Sequence, residues 1–156
     1  MIDRIHIALK VNDQVFDVCV EPRFTLADVL RTECGLTGTH VGCEHGVCGS
    51  CTVIVDGAPV RSCLMFAVQA EGSDILTVEG LAPEGQLHPV QRALSEHHGL
   101  QCGFCTPGFI LLMVAALREN ASPTDEEIVH LLSSNLCRCT GYQNIVKAMK
   151  SLVSKA

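Results

Sequence analysis

The chain has no tryptophan, a single tyrosine, five phenylalanines, and only 11 lysines and arginines against 17 aspartates and glutamates in 156 residues. A net charge of −6 leaves no basic stripe to neutralise phosphates, and so few aromatics leave little to stack on bases. Nucleic acid is therefore excluded as a partner. Long apolar runs are also missing. The longest is Phe109–Leu117, nine residues, about half of the roughly 18 that a membrane span requires. The opening MIDRIHIALK alternates apolar and polar residues and has no apolar leader core, so a cytoplasmic location is expected. Disorder is excluded as well, because 47% of the residues are hydrophobic and only 18% are charged. The length suits one domain or two small ones and can bury a core without covalent staples.

What the chain does have is cysteine, ten in all. In a reducing compartment, cysteines at fixed short spacing signal metal or redox chemistry more often than disulfides. Cys137-Arg-Cys139 is the sharpest case. A disulfide across one residue would be badly strained, so these two thiols are either core residues or ligands of one centre.

The chain divides into two halves of different character. Residues 4–10 and 14–20 alternate apolar and polar around Asn12-Asp13, which predicts a β-hairpin. Residues 25–34 predict a short helix with Thr25 as N-cap and Leu26, Val29 and Leu30 on one face. A glycine-rich loop follows over 35–51. TVIVDGAPV then reads as strand, Asp56-Gly57 turn and strand, and residues 75–78 as a further strand. After the linker GLAPEGQLHP, with Pro83 and Gly85, the pattern turns helical. Helices are predicted over 89–98, over 107–119 with Thr106 as N-cap and Pro107 at the first position, over 125–134 with a Thr124/Glu127 capping box, and over 143–153.

The cysteines sort by half. Cys43, Cys48 and Cys51 form C-x4-C-x2-C, and Cys63 follows after eleven residues. The triplet has the plant-type [2Fe–2S] spacing. Three thiolates so close in sequence converge only if the backbone curls, and Gly42, Gly46 and Gly49 lie within two residues of them to permit it. Backbone N–H groups then approach the sulfurs and tune the reduction potential. The alternatives are a zinc ribbon, which favours paired short spacings, or scattered core thiols. A Rieske centre fails, because Cys43-Glu-His45 has no C-x-x-H counterpart. His45 is expected to be a solvated loop residue.

The second half holds Cys102, Cys105, Cys137 and Cys139. Cys102-Gly-Phe-Cys105 precedes one predicted helix, and Cys137-Arg-Cys139 precedes another. Two meeting helix N-termini favour the negative charge of four thiolates. A thioredoxin-like reading of Cys102 and Cys105 is the local alternative, but it leaves Cys137 and Cys139 without a role. Cys19 and Cys34 remain, and both are expected to be small buried hydrophobes.

GCEHGVCGSCTVIVDGAPVRSCL, QCGFCTPGFI and NLCRCTGYQNI together resemble the iron–sulfur subunit of the molybdenum hydroxylases, the xanthine oxidase family. This family includes carbon monoxide dehydrogenase and the quinoline and nicotine oxidoreductases. The resemblance covers nearly the whole chain. It implies an α+β protein, with a ferredoxin-like β-grasp domain over 1–80 and an all-α four-helix-bundle domain over 81–156. It implies that Cys43, Cys48, Cys51 and Cys63 bind the cluster distal to molybdenum, and that Cys102, Cys105, Cys137 and Cys139 bind the proximal one. It further implies that Gln101 and Cys139 contact the pterin of the molybdenum cofactor, in a dinucleotide form.

The other centres would sit on partner chains, a large molybdopterin subunit and a medium FAD subunit. The assembly would be a heterotrimer or a dimer of heterotrimers. The large subunit would hydroxylate its substrate with oxygen from water. Electrons would then pass from molybdenum through both clusters to FAD or another acceptor.

No acid, base or nucleophile constellation appears in the chain itself. Glu96, His97 and His98 lie at a predicted helix end, where a solvated or interface role is expected. The apolar stretch 109–117 suits either core or a subunit interface. Two rival functions follow from the same residues. One is a free-standing two-cluster shuttle, for which a charge of −6 is modest. The other is a zinc-stabilised interaction module.

Overall fold

The structure, a computed structural model, describes residues 3–153. Its first half is a five-stranded sheet in the order β2-β1-β5-β3-β4. Strands β1 (Ile5–Val11) and β2 (Gln14–Val20) form the expected hairpin. Asn12 and Asp13 both take positive φ, 51° and 62°, the geometry that a tight two-residue hairpin turn requires. Strands β3 (Thr52–Val55) and β4 (Ala58–Arg61) repeat the device, with Asp56 at φ 49° and Gly57 at φ 85°. Strand β5 (Asp74–Leu76) lies between the hairpins, parallel to β1 and antiparallel to β3. It starts one residue earlier and ends two earlier than the sequence pattern predicts, because a 3₁₀ turn at Val78–Gly80 ends the extended backbone.

Helix α1 (Leu26–Thr32) covers one face of this sheet. Thr25 and Asp28 close a reciprocal capping box at its start. Its apolar side packs with Ile7, Leu9, Val11, Val53, Val55 and Ile75 in one core.

The second half is helical: α2 (Pro89–Glu96), α3 (Thr106–Glu119), α4 (Asp125–Ser133) and α5 (Gln143–Val153). Helix α2 packs on α5 and α3, and α4 packs on α5 and α3. Their shared core includes Leu94, Phe109, Met113, Ile128, Leu132 and Ile145. The predicted start of α3 needs one correction. Thr106 is already helical, and Cys105 is the N-cap, with no side-chain cap bond. A further cap was not foreseen: His88 accepts from the Val90 N–H at 3.2 Å, and Gln91 accepts from the His88 N–H at 2.8 Å.

Strand β3 joins the halves. It is buried at every residue, which an alternating half-exposed strand would not be. Side chains alternate faces along a strand. Val53 and Val55 therefore enter the core beneath α1, while Ile54 enters the helical core, where α3 lies against β3. Residues Gly108–Ala115 of α3 are consequently buried all round, which assigns most of the apolar stretch to core. Among the described residues no helix is long and apolar enough to cross a membrane.

Candidate iron–sulfur sites

The first cysteine loop runs from α1 to β3. Its curl uses Gly46 at φ 81° and Gly49 at φ 72°, as the glycine spacing suggested. Gly42 does not take positive φ. It is instead confined, since a Cβ there would sit 3.3 Å from the Phe104 ring and 3.4 Å from the Cys48 sulfur. Glu44, at φ 56°, supplies the remaining left-handed turn. Cys51 stands at the mouth of β3, and Cys63 lies in a 3₁₀ turn just after β4. Both are buried, in a small apolar cluster with Ala27 of α1 and Val41. Cys43 and Cys48 are half-buried on the outer side.

The second site is assembled from two loops, one ahead of α3 and one ahead of α5. Cys102 and Cys139 are exposed, Cys105 is half-buried and Cys137 is buried. The only tyrosine organises the Cys137 loop. Tyr142 takes φ 67°, accepts from the Cys137 N–H at 2.9 Å through its hydroxyl, and meets Phe109 edge-on at 6.3 Å. All four cysteines line one cavity of about 230 Å³ together with Phe104, Leu136 and Arg138, and Cys43 and Cys48 border it.

The thiols meet in pairs. Cys43 accepts from the Cys48 N–H at 3.4 Å. Cys63 lies beside Cys51 and Cys105 beside Cys137, near enough for Cys51 to raise the Cys63 thiol and Cys137 the Cys105 thiol. Cys102 and Cys139 are 3.6 Å apart, sulfur to sulfur. Two thiolates at about 2.3 Å from one tetrahedral metal stand about 3.8 Å apart, so this pair suits a shared metal. Among the described residues no group of three or more His, Cys, Asp or Glu converges as a single ion demands. Two pairs per site suit a two-iron core held by four thiolates.

The local fields differ from thiol to thiol. The Cys48 backbone N–H pulls the Cys43 thiol down to about 6, helped by the N–H groups of His45 and Val47. Burial lifts Cys63 to about 11 and Cys105 to about 12, each pushed further by its paired cysteine. Burial also pushes Cys137 up, but the Thr140 hydroxyl at 3.0 Å, the Thr140 N–H at 3.4 Å and the Cys139 N–H outweigh it, and the net shift is downward. In the metal-free, reduced chain, Cys43 is thus mostly thiolate at pH 7 and Cys63 and Cys105 are thiols. Iodoacetamide at pH 7 alkylates Cys43 first, by peptide mass spectrometry, and its rate falls as the pH drops through 6.

The remaining expectations resolve as follows. His45 is exposed, and its Nδ1 contacts the Cys43 carbonyl. Gln101 is exposed beside Cys102. His97 caps the C-terminus of α2, and His98 follows it at φ 53°. Cys19 and Cys34 are half-buried rather than fully buried. Cys34 packs at the edge of the α1 core, and burial lifts its thiol to about 11.

Sequence reasoning missed the seam between the two sites. The Leu136 N–H donates to the Cys48 carbonyl at 2.9 Å. Asn135 Nδ2 donates to the Gly49 carbonyl at 3.2 Å, and Asn135 is 1% exposed. Arg61 Nη2 donates to the Ser134 carbonyl at 2.8 Å, and His40 Nδ1 lies 2.7 Å from the Phe104 carbonyl. These residues carry no spacing signal, since each is recognisable only from the loop it reaches.

Fold and paired thiols define a two-site iron–sulfur protein. Family models agree: a 2Fe-2S iron-sulfur cluster binding domain matches residues 9–77, and a [2Fe-2S] binding domain matches 77–150. The caffeine dehydrogenase subunit gamma of Pseudomonas sp. (strain CBB1) is 58% identical, over 94% of this chain and 89% of its own length. The nicotine 6-hydroxylase small subunit of Paenarthrobacter nicotinovorans is 54% identical, over 94% and 88%. In the crystal structure of quinoline 2-oxidoreductase from Pseudomonas putida 86, one chain superposes with a TM-score of 0.91 at 50% identity, covering 99% of this chain and 96% of that one. The chain belongs to the small iron–sulfur subunits of the molybdenum hydroxylase family. Its role is electron transfer within a multi-subunit oxidoreductase.

Proposed function

We propose that Cys43, Cys48, Cys51 and Cys63 hold one [2Fe–2S] cluster and that Cys102, Cys105, Cys137 and Cys139 hold a second. The division at residues 80/81 then separates a β-grasp ferredoxin-like domain from a four-helix-bundle domain. When bound, the clusters supply one-electron carriers, and the chain's own residues place them, shield them and join them. The observation that carries this reading is the Leu136 N–H donating to the Cys48 carbonyl at 2.9 Å. That single bond links a residue of the first set to the neighbour of Cys137, giving a short, mostly covalent connection between the sites.

The second set is the one nearer molybdenum in this proposal. Its Cys102 and Cys139 are exposed, and so is the adjacent Gln101, which leaves them open to a partner. Gln101 and Cys139 contact the pterin of a molybdopterin cofactor, in a dinucleotide form, on a large subunit. A medium subunit carries FAD, or another acceptor takes its place. The assembly is a cytoplasmic heterotrimer or a dimer of heterotrimers. The large subunit hydroxylates a ring carbon of a nitrogen heterocycle with oxygen from water, a substrate class supported by the caffeine, nicotine and quinoline relatives.

The test is to isolate the native complex through a tag on this chain and measure iron, acid-labile sulfide, zinc and molybdenum. About four iron and four sulfide per chain, with two paramagnetic signals on reduction and co-purifying molybdenum, is the expected result. Iron and sulfide without molybdenum or partner chains would make the chain a free shuttle. Zinc without sulfide would overturn the cluster assignment.

A further inference from the structure

We infer that Thr140 is a positioning residue whose hydroxyl, bonded to the Cys137 sulfur, raises the reduction potential of the Cys102, Cys105, Cys137 and Cys139 site. This rests on that set being a cluster site, as proposed above.

Thr140 follows Cys139 directly, in the loop ahead of α5. Two of its groups reach the same sulfur. Its Oγ1 is 3.0 Å from Cys137 Sγ, and its backbone N–H donates to that sulfur at 3.4 Å. The direction of the hydroxyl bond is fixed twice. The Tyr142 N–H donates to Thr140 Oγ1 at 3.2 Å, which occupies the acceptor side of that oxygen and leaves its one hydrogen for the sulfur. A cysteine that ligates a metal is a thiolate with no hydrogen of its own, so in the loaded protein it can only accept.

A third bond closes the loop on itself. The Cys137 N–H donates to the Tyr142 hydroxyl at 2.9 Å. Cys137 thus donates to the Tyr142 side chain, Tyr142 to the Thr140 side chain, and Thr140 to the Cys137 side chain. The turn that permits this ring carries Gly141 at φ 66° and Tyr142 at φ 67°. Residues other than glycine rarely adopt the second value, and such outliers persist only where their surroundings hold them. Here the Tyr142 ring meets Phe109 edge-on at 6.3 Å, and Phe109 is buried in the helical core. Thr140 therefore has a fixed place relative to the sulfur. A donor aimed at a ligand sulfur stabilises the more negative, reduced form of a cluster and so raises its reduction potential.

Thr140→Val keeps the shape of the side chain and removes the hydroxyl. Thr140→Ser keeps the hydroxyl and removes a methyl group. Tyr142→Phe opens the ring elsewhere and leaves both donors to the sulfur in place. Each variant is made in the complete complex, and both clusters are titrated electrochemically by electron paramagnetic resonance. In Thr140→Val, one cluster's midpoint moves to lower potential, so that its oxidised-to-reduced ratio at a fixed potential rises about fivefold to tenfold, tenfold being about 59 mV for one electron. The other cluster stays at its wild-type midpoint. Thr140→Ser recovers most of the shift, and Tyr142→Phe produces only a minor part of it. Loss of one cluster's iron in Thr140→Val that Thr140→Ser restores would support the same contact. Wild-type midpoints for both clusters in Thr140→Val would overturn the inference. So would equal shifts of both clusters, a Thr140→Ser midpoint matching Thr140→Val, or a Tyr142→Phe shift as large as that of Thr140→Val. Iron and sulfide are counted in the wild type alongside, because a shortfall there defeats the cluster assignment itself and is read separately from any shift.

Discussion

Replacing Cys137 with alanine removes one cluster and spares the other. Iron and acid-labile sulfide fall to about two each per chain, half of the full complement, and one of two paramagnetic signals disappears. The asymmetry follows from how the sites are built. Cys137 sits in the helical core with Cys105 as its partner, and the Thr140 hydroxyl, 3.0 Å from its sulfur, stabilises the thiolate. None of the other set depends on it: Cys51 and Cys63 pack with Ala27 and Val41, and Cys43 and Cys48 are held by the glycine-bent loop. Cys34→Ala is the companion variant. Cys34 lies against the α1 core with no thiol partner described, so this protein keeps all of its iron. Full iron in Cys137→Ala, or half in Cys34→Ala, would contradict the assignment.

Gly108→Ala destabilises the loaded protein by roughly 3 kcal/mol, through overpacking against atoms that cannot step aside. A Cβ at Gly108 would collide with the Gly49 carbonyl oxygen and stand 3.1 Å from the Ser50 Cα and 3.2 Å from Asn135 Nδ2. Two of these three neighbours are backbone, and the third is a buried side chain bonded to that same carbonyl. The expected fall in Tm is about 6–12 °C for a chain of this size. Gly57→Ala provides the comparison: no atom lies within 4 Å of its Cβ position, but φ is 85°, so only conformational strain of about 1–2 kcal/mol is expected. Hydrogen exchange separates the two variants further. Gly108→Ala loses protection at the Leu136 amide, which bridges the seam to Cys48, while Gly57→Ala does not. A Tm within two degrees of wild type for Gly108→Ala would show that α3 can slide off the loop.

Local signals carried most of the fold. The two hairpin turns were legible because Asn12-Asp13 and Asp56-Gly57 are residue types that accept positive φ between alternating strands. The helices were legible from periodicity and caps, Thr25 and Thr124 above all. The grouping of Cys102, Cys105, Cys137 and Cys139 around one cavity was legible from short spacings and helix starts, which are local properties. What stayed hidden depends on contacts distant in sequence. The parallel pairing of β1 with β5 joins Lys10 to Asp74 across the chain, and no turn announces it. The sequence marked β3 as a strand, but not that it would be buried on both faces or that Ile54 would meet helices. His40, Asn135 and Gly108 look ordinary in sequence, because each matters only for the backbone that folding brings against it. The start of α3 was misplaced by one residue because threonine is a better cap than cysteine in general, and here the loop geometry puts Cys105 at that position instead.

Ile54 has a bearing on how the molecule is made in the cell. It is 2% exposed, and its cover comes from α3, which begins at Thr106. A ribosome delivers β3 about fifty residues before that cover, at roughly 5–20 residues per second. For some seconds the nascent sheet shows an apolar side chain on its uncovered face. A polypeptide cut in the linker would leave Ile54 uncovered in the first fragment. On the proposed assignment, a partner reaches Cys102 and Cys139 as a joint surface only once the two loops ahead of α3 and α5 have come together in the C-terminal half.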